Sequence, residues 1–346
     1  MNIILVSPYV PPSARGDAFT AERLRQGLQA RGHEVRLYNS RRPFVEEVLA
    51  APADVLHSIN AYLSHDWVER YLEERSIPWV ITLTGTDHDT AEGPKKVPAI
   101  VTKSVASAHG LVVHHQRGME RLVETFGAAR DKTRILRPGV EPLAEGRIVA
   151  DVRRDCAIGA DKVFFLMASG IRPVKDVGLA LSAFKALHSK NIALGLVGPG
   201  IDPVETAQVL SLGVSLLNFY YFGPKMRNET RECMRAADVF VNTSRRDELS
   251  SAMLEAMAEG CAIIATATAA NETLIVDGQN GLLVPPGDSD ALATAASMLE
   301  SDEYLRNRLA KSARDTIKKD FSLQSELEGY EALYGAVQRN LKGTPS

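Results

Sequence analysis

The sequence predicts an α/β chain of two Rossmann-like, doubly wound domains facing a central cleft. Three observations carry this. At 346 residues the chain exceeds what a single hydrophobic core usually organises, and its length suits two domains. Both halves alternate short apolar runs with amphipathic stretches, the pattern of a parallel sheet covered by helices. A Pro-Gly break within Arg137-Pro-Gly-Val-Glu-Pro142, followed by a polar segment, separates the two series.

In the first half the runs Ile3–Val6, Glu34–Tyr38, Val55–Ser58, Val80–Leu83 and Leu111–Val113 are expected strands, with Arg134–Leu136 strand-like before the break. A helix is expected from about Ala18 to Arg31. The second series starts again at Val163–Ser169, followed by a helix over Val177–His188. Strands are then expected at Ala193–Val197, Ala237–Asn242 and Cys261–Ala265. The boundary falls at residues 142/143, with a first domain over 1–142 and a second over 143–322. A last helix over 323–341, with Leu327, Tyr330, Leu333, Tyr334 and Val337 at helical spacing, is expected to join the first domain and pack back across both.

Composition excludes several classes. With 40 basic and 43 acidic residues the formal charge is −3, so no nucleic-acid partner is indicated. Cys156, Cys233 and Cys261 are odd in number and lack His partners at metal-ligand spacing, which suits reduced thiols. Met1–Ser7 lacks a basic leader region and a cleavage site, and no apolar run approaches the ~18 residues that span a bilayer. A cytoplasmic protein is expected, with peripheral membrane contact compatible. Monomer and homodimer both stay open.

The densest chemistry lies in Ser244-Arg-Arg-Asp-Glu-Leu-Ser-Ser-Ala-Met-Leu-Glu-Ala-Met-Ala-Glu-Gly260. Ser250 or Ser251 is a natural N-cap, so a helix begins there and its first N–H groups favour an anion. Asp247 lies just outside that end and Glu255 about one turn inside. Two carboxylates flanking an anion site can accept the hydroxyls of a sugar and a ribose; a solvated acidic loop before one helical Glu is the other reading. Ser169-Gly-Ile-Arg-Pro-Val-Lys-Asp176 adds Arg172 and Lys175 at a strand end, a clamp for a diphosphate or simply two surface cations.

Weaker signals surround these. Gly16 permits close backbone approach at the first helix. Gly198, in Leu196-Val-Gly-Pro-Gly200, and Phe222, in Tyr221-Phe-Gly-Pro-Lys225, either cover a nucleobase or belong to ordinary turns. Thr84 and Asp87, in Ile81-Thr-Leu-Thr-Gly-Thr-Asp87, lie where a sugar would sit. His57, His114 and His115, near strand ends, are structural or catalytic, and His88 is equally open. Neither Gly-x-Gly-x-x-Gly nor Gly-x-x-x-x-Gly-Lys-Ser/Thr occurs, which argues against a dinucleotide oxidoreductase or a P-loop ATPase.

Together these features resemble the retaining family-four glycosyltransferases of GT-B type across nearly the whole chain. The family's Glu-x7-Glu element is matched by Asp247 to Glu255, and Asp277-Gly-Gln-Asn-Gly-Leu-Leu-Val-Pro-Pro-Gly287 follows. Gly170–Asp176 and Val197-Gly-Pro-Gly-Ile-Asp-Pro203 are similar to the subgroup of glycosyltransferase 1 domain-containing protein 1. Leu83-Thr-Gly-Thr-Asp87 is more loosely similar to a segment of selenosugar synthases. The resemblance implies that Arg172 and Lys175 grip the donor diphosphate, that Asp247 contacts the donor sugar and that Glu255 holds the ribose. It also implies that Gly16 lies beneath the phosphates and that the backbone of Leu249, Ser250 and Ser251 faces sugar and diphosphate. Three positions depart from the family: Asp247 replaces Glu, Glu248 stands where Gly is common and is a substitute acid, and Thr84 stands where many relatives have His.

The expected reaction moves a sugar, with retention, from a nucleotide diphosphate donor, UDP favoured, to the hydroxyl of an unidentified acceptor. The resemblance implies front-face attack, with the leaving phosphate taking the acceptor proton. No cofactor is expected, the nucleotide sugar being substrate, and no metal, since Asp87-His-Asp89 is the nearest approach to an Asp-x-Asp motif. An epimerase or hydrolase using Asp87, His57 or His115 as acid/base, and a non-catalytic sugar-nucleotide sensor, are the alternatives.

Overall fold

The computed structural model describes residues 1–13, 15–85, 98–127, 130–141, 152–155, 158–246 and 249–343. Two compact units divide it, the first formed by Met1–Gly139 with Leu323–Ser346 and the second by Val140–Ser322.

The first unit holds β1 (Asn2–Ser7), β2 (Glu34–Asn39), β3 (Val55–Ile59), β4 (Trp79–Thr82), β5 (Gly110–Val113) and β6 (Thr133–Ile135). They form a parallel sheet in the order β2-β1-β3-β4-β5-β6. Alternate side chains of a strand leave on opposite faces. Accordingly Ile3 and Leu5 pack with Leu24 and Leu28 of the Gly16–Ala30 helix, while Ile4 and Val6 pack with Trp67 and Val101 on the other side. Burial on both faces is why these strands are continuous apolar runs.

The Leu323–Gly343 helix lies on the first unit: Leu327, Tyr330, Leu333, Tyr334 and Val337 share a core with Ile3, Leu5, Val80 and Val112. Buried polar contacts fasten it. Arg23 reaches Glu326 through Nε and Nη2, both at 2.9 Å, and the Gly139 N–H donates to Glu326 Oε2 at 2.8 Å. Tyr334 Oη meets His57 Nδ1 at 2.7 Å, and Tyr330 Oη meets Thr82 Oγ1 at 2.9 Å.

The second unit holds β7 (Val163–Ala168), β8 (Ile192–Val197), β9 (Phe219–Gly223), β10 (Val239–Asn242), β11 (Ala262–Thr266) and β12 (Leu282–Val284). Their parallel order is β12-β11-β10-β7-β8-β9. Phe165 and Met167 pack toward Val177, Leu181 and Leu292, whereas Phe164 and Leu166 pack toward Met253, Met257 and Ile317. Strand order reverses between β7 and β10. In such sheets ligands bind beyond the carboxyl ends of the strands at that reversal.

Candidate functional site

The loops leaving β7 and β10 at this reversal are Ser169–Asp176 and Thr243–Ser250, the two that carry the sequence-predicted cations and acids. Three bonds stitch them together. The Arg245 N–H donates to the Val174 carbonyl at 2.9 Å, and Thr243 Oγ1 donates to the Lys175 carbonyl at 2.9 Å. Arg245 Nε donates to Asp176 Oδ2 at 2.7 Å. Asp176 holds a left-handed φ of 46° at the start of the Val177–Leu187 helix, which it does not cap with its side chain.

Arg172 is half-buried in this loop, and its Nε is fully buried without a hydrogen-bond partner among the described residues. A buried donor left unmade costs about 1–3 kcal/mol, more when charged. The atom is therefore an open position for an acceptor.

The second loop leads into the Ser251–Glu259 helix. Ser250 caps it, its Oγ accepting from the Met253 N–H at 3.4 Å. Buried Leu249, Met253 and Leu254 hold the entry in the core. Gly260, at φ 94°, ends the helix, with its N–H and that of Cys261 returning to the Met257 and Ala256 carbonyls. The Ser251 and Ala252 N–H groups have no acceptor inside the helix, so positive potential collects there.

Glu255 sits on this helix at 6% exposure. Arg227 Nε, from the start of the Arg227–Ala236 helix, donates to its Oε1 at 2.7 Å, and Oε2 has no partner among the described residues. Half of this carboxylate is thus already engaged. Arg227 is the residue sequence reasoning missed: it lies 28 positions upstream, and no local motif couples the two.

Gly198 borders the Ser169 loop. Its φ is 143°, and a Cβ there would lie 2.1 Å from the Ser169 carbonyl oxygen and 2.6 Å from its carbon. Tyr221 Oη donates to the Gly198 carbonyl at 2.9 Å. Phe222 turns the other way. Its ring lies against Gly195, packs against the core that holds Phe164 and Leu166, and stacks at 6.4 Å on Tyr220.

In the first unit, Gly16 opens its helix exposed, and a Cβ there would meet nothing within 4 Å. Thr84, just past β4, accepts at Oγ1 from Asn60 Nδ2 at 3.1 Å. His57 has both ring nitrogens engaged, Nδ1 with Tyr334 and Nε2 with Thr82 at 2.8 Å, and burial pushes its pKa down to about 3. That ring is a structural link. His114 Nδ1 meets the Leu136 carbonyl at 2.9 Å, and His115 Nδ1 accepts from the Gly118 N–H at 3.0 Å as a helix cap. Asp87, His88, Asp89, Asp247 and Glu248 lie outside the described residues. Among the described residues no cluster of three or more His, Cys, Asp or Glu is placed to hold a metal ion, and no helix is long and apolar enough to cross a membrane.

Residues 150–316 match the family model Glycosyl transferases group 1. The chain is similar to the D-inositol 3-phosphate glycosyltransferase of Stackebrandtia nassauensis, 28% identical over 68% of this chain and 56% of that protein. It is also similar to the N-acetyl-alpha-D-glucosaminyl L-malate synthase of Bacillus anthracis, 23% identical over 86% and 76%. A shorter match, to the lipopolysaccharide core biosynthesis glycosyltransferase LpsE of Rhizobium meliloti, is 33% identical over 30% of this chain and 31% of that one. The aligned stretches thus span only about a third to just over half of several of these relatives.

Among solved structures, Anabaena HepE in complex with UDP-glucose superposes with a TM-score of 0.82 at 14% identity, covering 97% of this chain and 100% of that one. Sucrose-phosphate synthase from Thermosynechococcus elongatus gives 0.80 at 18%, covering 98% and 99%. The glycosyltransferase WaaG gives 0.74 at 16%, covering 96% and 100%. With its two parallel sheets the chain has the GT-B fold, and its stretch over residues 150–316 is similar to the group 1 glycosyl transferases.

Proposed function

We propose that the protein transfers a sugar, with retention of anomeric configuration, from a UDP-sugar to an acceptor hydroxyl. The observation that carries this is the buried Nε of Arg172, which has no acceptor among the described residues and is held at the strand reversal on a loop bonded to the one that leads into the Ser251 helix. A leaving diphosphate develops charge as the glycosidic bond breaks. Preorganised donors stabilise that charge without rearranging during reaction. Arg172, Lys175 and the N–H groups at Ser251 and Ala252 supply them, so the charge is met by protein groups and a metal ion is not required.

The open Oε2 of Glu255 then accepts from the ribose, with Arg227 fixing the other oxygen. In the family's scheme Asp247, or Glu248 beside it, contacts the donor sugar, while Thr84 and Asp87 stand on the acceptor side. Front-face attack, in which the departing phosphate takes the acceptor proton, needs no enzymatic nucleophile. An epimerase or hydrolase would need an acid/base group, and His57, locked between Tyr334 and Thr82, is not available as one. HepE, whose solved complexes contain UDP and UDP-glucose, favours uridine as the base. Buried Cys261, a thiol bonded to the Met234 carbonyl, suits the reducing cytoplasm.

Calorimetric titration with UDP, GDP and ADP in the presence of a chelator tests this reading. UDP is expected to bind, and Arg172→Ala to weaken it by about 10- to 100-fold, the worth of one charge-assisted hydrogen bond. If none of the three nucleotides binds at millimolar concentration, the donor site is wrong. Turnover of UDP-sugars, with product anomers assigned by NMR, then tests retention.

A further inference from the structure

We infer that Tyr9, Arg15 and Arg41 form a binding site for an anionic group, phosphate or carboxylate in chemistry, carried by the acceptor. This rests on the proposed transferase reading, in which the first unit receives the acceptor. β1 and β2 are adjacent, with Ser7 opposite Asn39, so the loops leaving their carboxyl ends emerge side by side. Tyr9 is the hub between them. The Arg15 guanidinium lies 4.4 Å from its ring centre and that of Arg41 5.3 Å, while Arg41 Nη1 donates to Tyr9 Oη at 2.6 Å.

Both arms are fixed from below. Ser7 Oγ donates to the Tyr9 carbonyl at 2.7 Å, and the Arg41 N–H donates to Asn39 Oδ1 at 2.9 Å. What is missing is the counter-charge. Four arginines of this unit meet carboxylates, Arg23 with Glu326, Arg25 with Glu22, Arg31 with Glu331 and Arg70 with Glu46, while Arg36, Arg75 and Arg134 donate to backbone carbonyls. Arg15, Arg41 and the adjacent Arg42 have no carboxylate partner among the described residues.

Gathering like charges around one ring is unfavourable unless an anion joins them, and planar guanidinium groups match phosphate and carboxylate oxygens. The tyrosine face holds the cations in place by cation–π attraction without neutralising them. The cluster also sits beyond the carboxyl ends of β1 and β2, on the ligand-binding edge of the sheet and beside the reversal between β1 and β3. A free acceptor and a lipid headgroup would present the same chemistry.

The test titrates inorganic phosphate, and separately UDP, into the full chain as wild type, Arg15→Gln/Arg41→Gln and Arg172→Ala, at constant ionic strength. Phosphate binding that persists in Arg172→Ala and weakens at least about tenfold in the double variant is expected. UDP binding in the double variant should match wild type, which separates this site from the donor site. Equal phosphate isotherms for wild type and double variant, or no phosphate binding at tens of millimolar, overturns the proposal. Arg41→Lys, which keeps the charge, should recover part of the affinity and shows that lost binding is not lost folding. Co-sedimentation with phosphatidylcholine vesicles containing phosphatidylglycerol, but not with phosphatidylcholine alone, and its loss in the double variant, would assign the anion to a lipid headgroup. No sedimentation alongside Arg-dependent phosphate binding assigns it to a soluble acceptor.

Discussion

Gly198→Ala should damage both stability and nucleotide binding, and the structure gives the size of the effect. The φ of 143° is one that side chains rarely adopt, at a cost of about 1–3 kcal/mol. The added Cβ would also lie 2.1 Å from the Ser169 carbonyl oxygen, a backbone atom that no rotamer change can move aside. Relieving such an overlap costs another ~1–3 kcal/mol. Together these give roughly 2–6 kcal/mol, or about 4–24 °C in thermal midpoint for a domain of this size. Relief requires pushing Ser169 away, and Ser169 begins the loop that carries Arg172, so UDP affinity should fall with stability. Gly16→Ala is the matched control. A Cβ there meets nothing within 4 Å, so its midpoint should be unchanged or slightly raised, while a ligand approaching that backbone would be hindered. Scanning calorimetry with UDP titration reads both quantities. A Gly198→Ala protein with unaltered midpoint and unaltered affinity would refute the reasoning.

Two further outcomes follow from buried polar groups. Burial holds the folded His57 at about 3 whereas the unfolded chain titrates near 6.5, so its contribution is complete above pH 6.5 and is lost as pH falls toward 3. At pH 5 this amounts to about 2 kcal/mol, and denaturant unfolding of His57→Gln should show a shallower loss between pH 7 and 5 than wild type. Glu326→Ala removes the carboxylate from Arg23, whose side chain is 6% exposed, and takes the acceptor from the Gly139 N–H. Breaking a buried pair this way costs about 3–5 kcal/mol, and a loss below about 1 kcal/mol in denaturant unfolding would show the pair to be dispensable.

Which parts of the molecule were legible depends on the range of the interaction that specifies them. Runs such as Val163–Ala168 are buried on both faces, so composition alone marks them as strands, and the second series of runs announces the second sheet. Ser250 and Gly260 delimit their helix by local capping, which sequence carries directly. β9 and β12 were not anticipated: Phe219–Gly223 is only half-buried throughout, and Leu282–Val284 is three residues long within a turn-rich stretch. The site divides in the same way. That Arg172 stands at a strand end is a local fact, but that its Nε is the atom left without an acceptor depends on everything packed around it. Glu255 and Arg227 meet through two helices joined by a strand and its turns, and His57 is made structural by Tyr334, 277 residues away. Motif reasoning therefore selects the loops, and packing decides which of their polar atoms already have partners. For the charged, many-hydroxyl substrate proposed above the second question sets the contacts: Arg172 Nε and Glu255 Oε2, without partners among the described residues, and Arg15 and Arg41, without carboxylates among them, are the positions where substitutions should separate binding from folding.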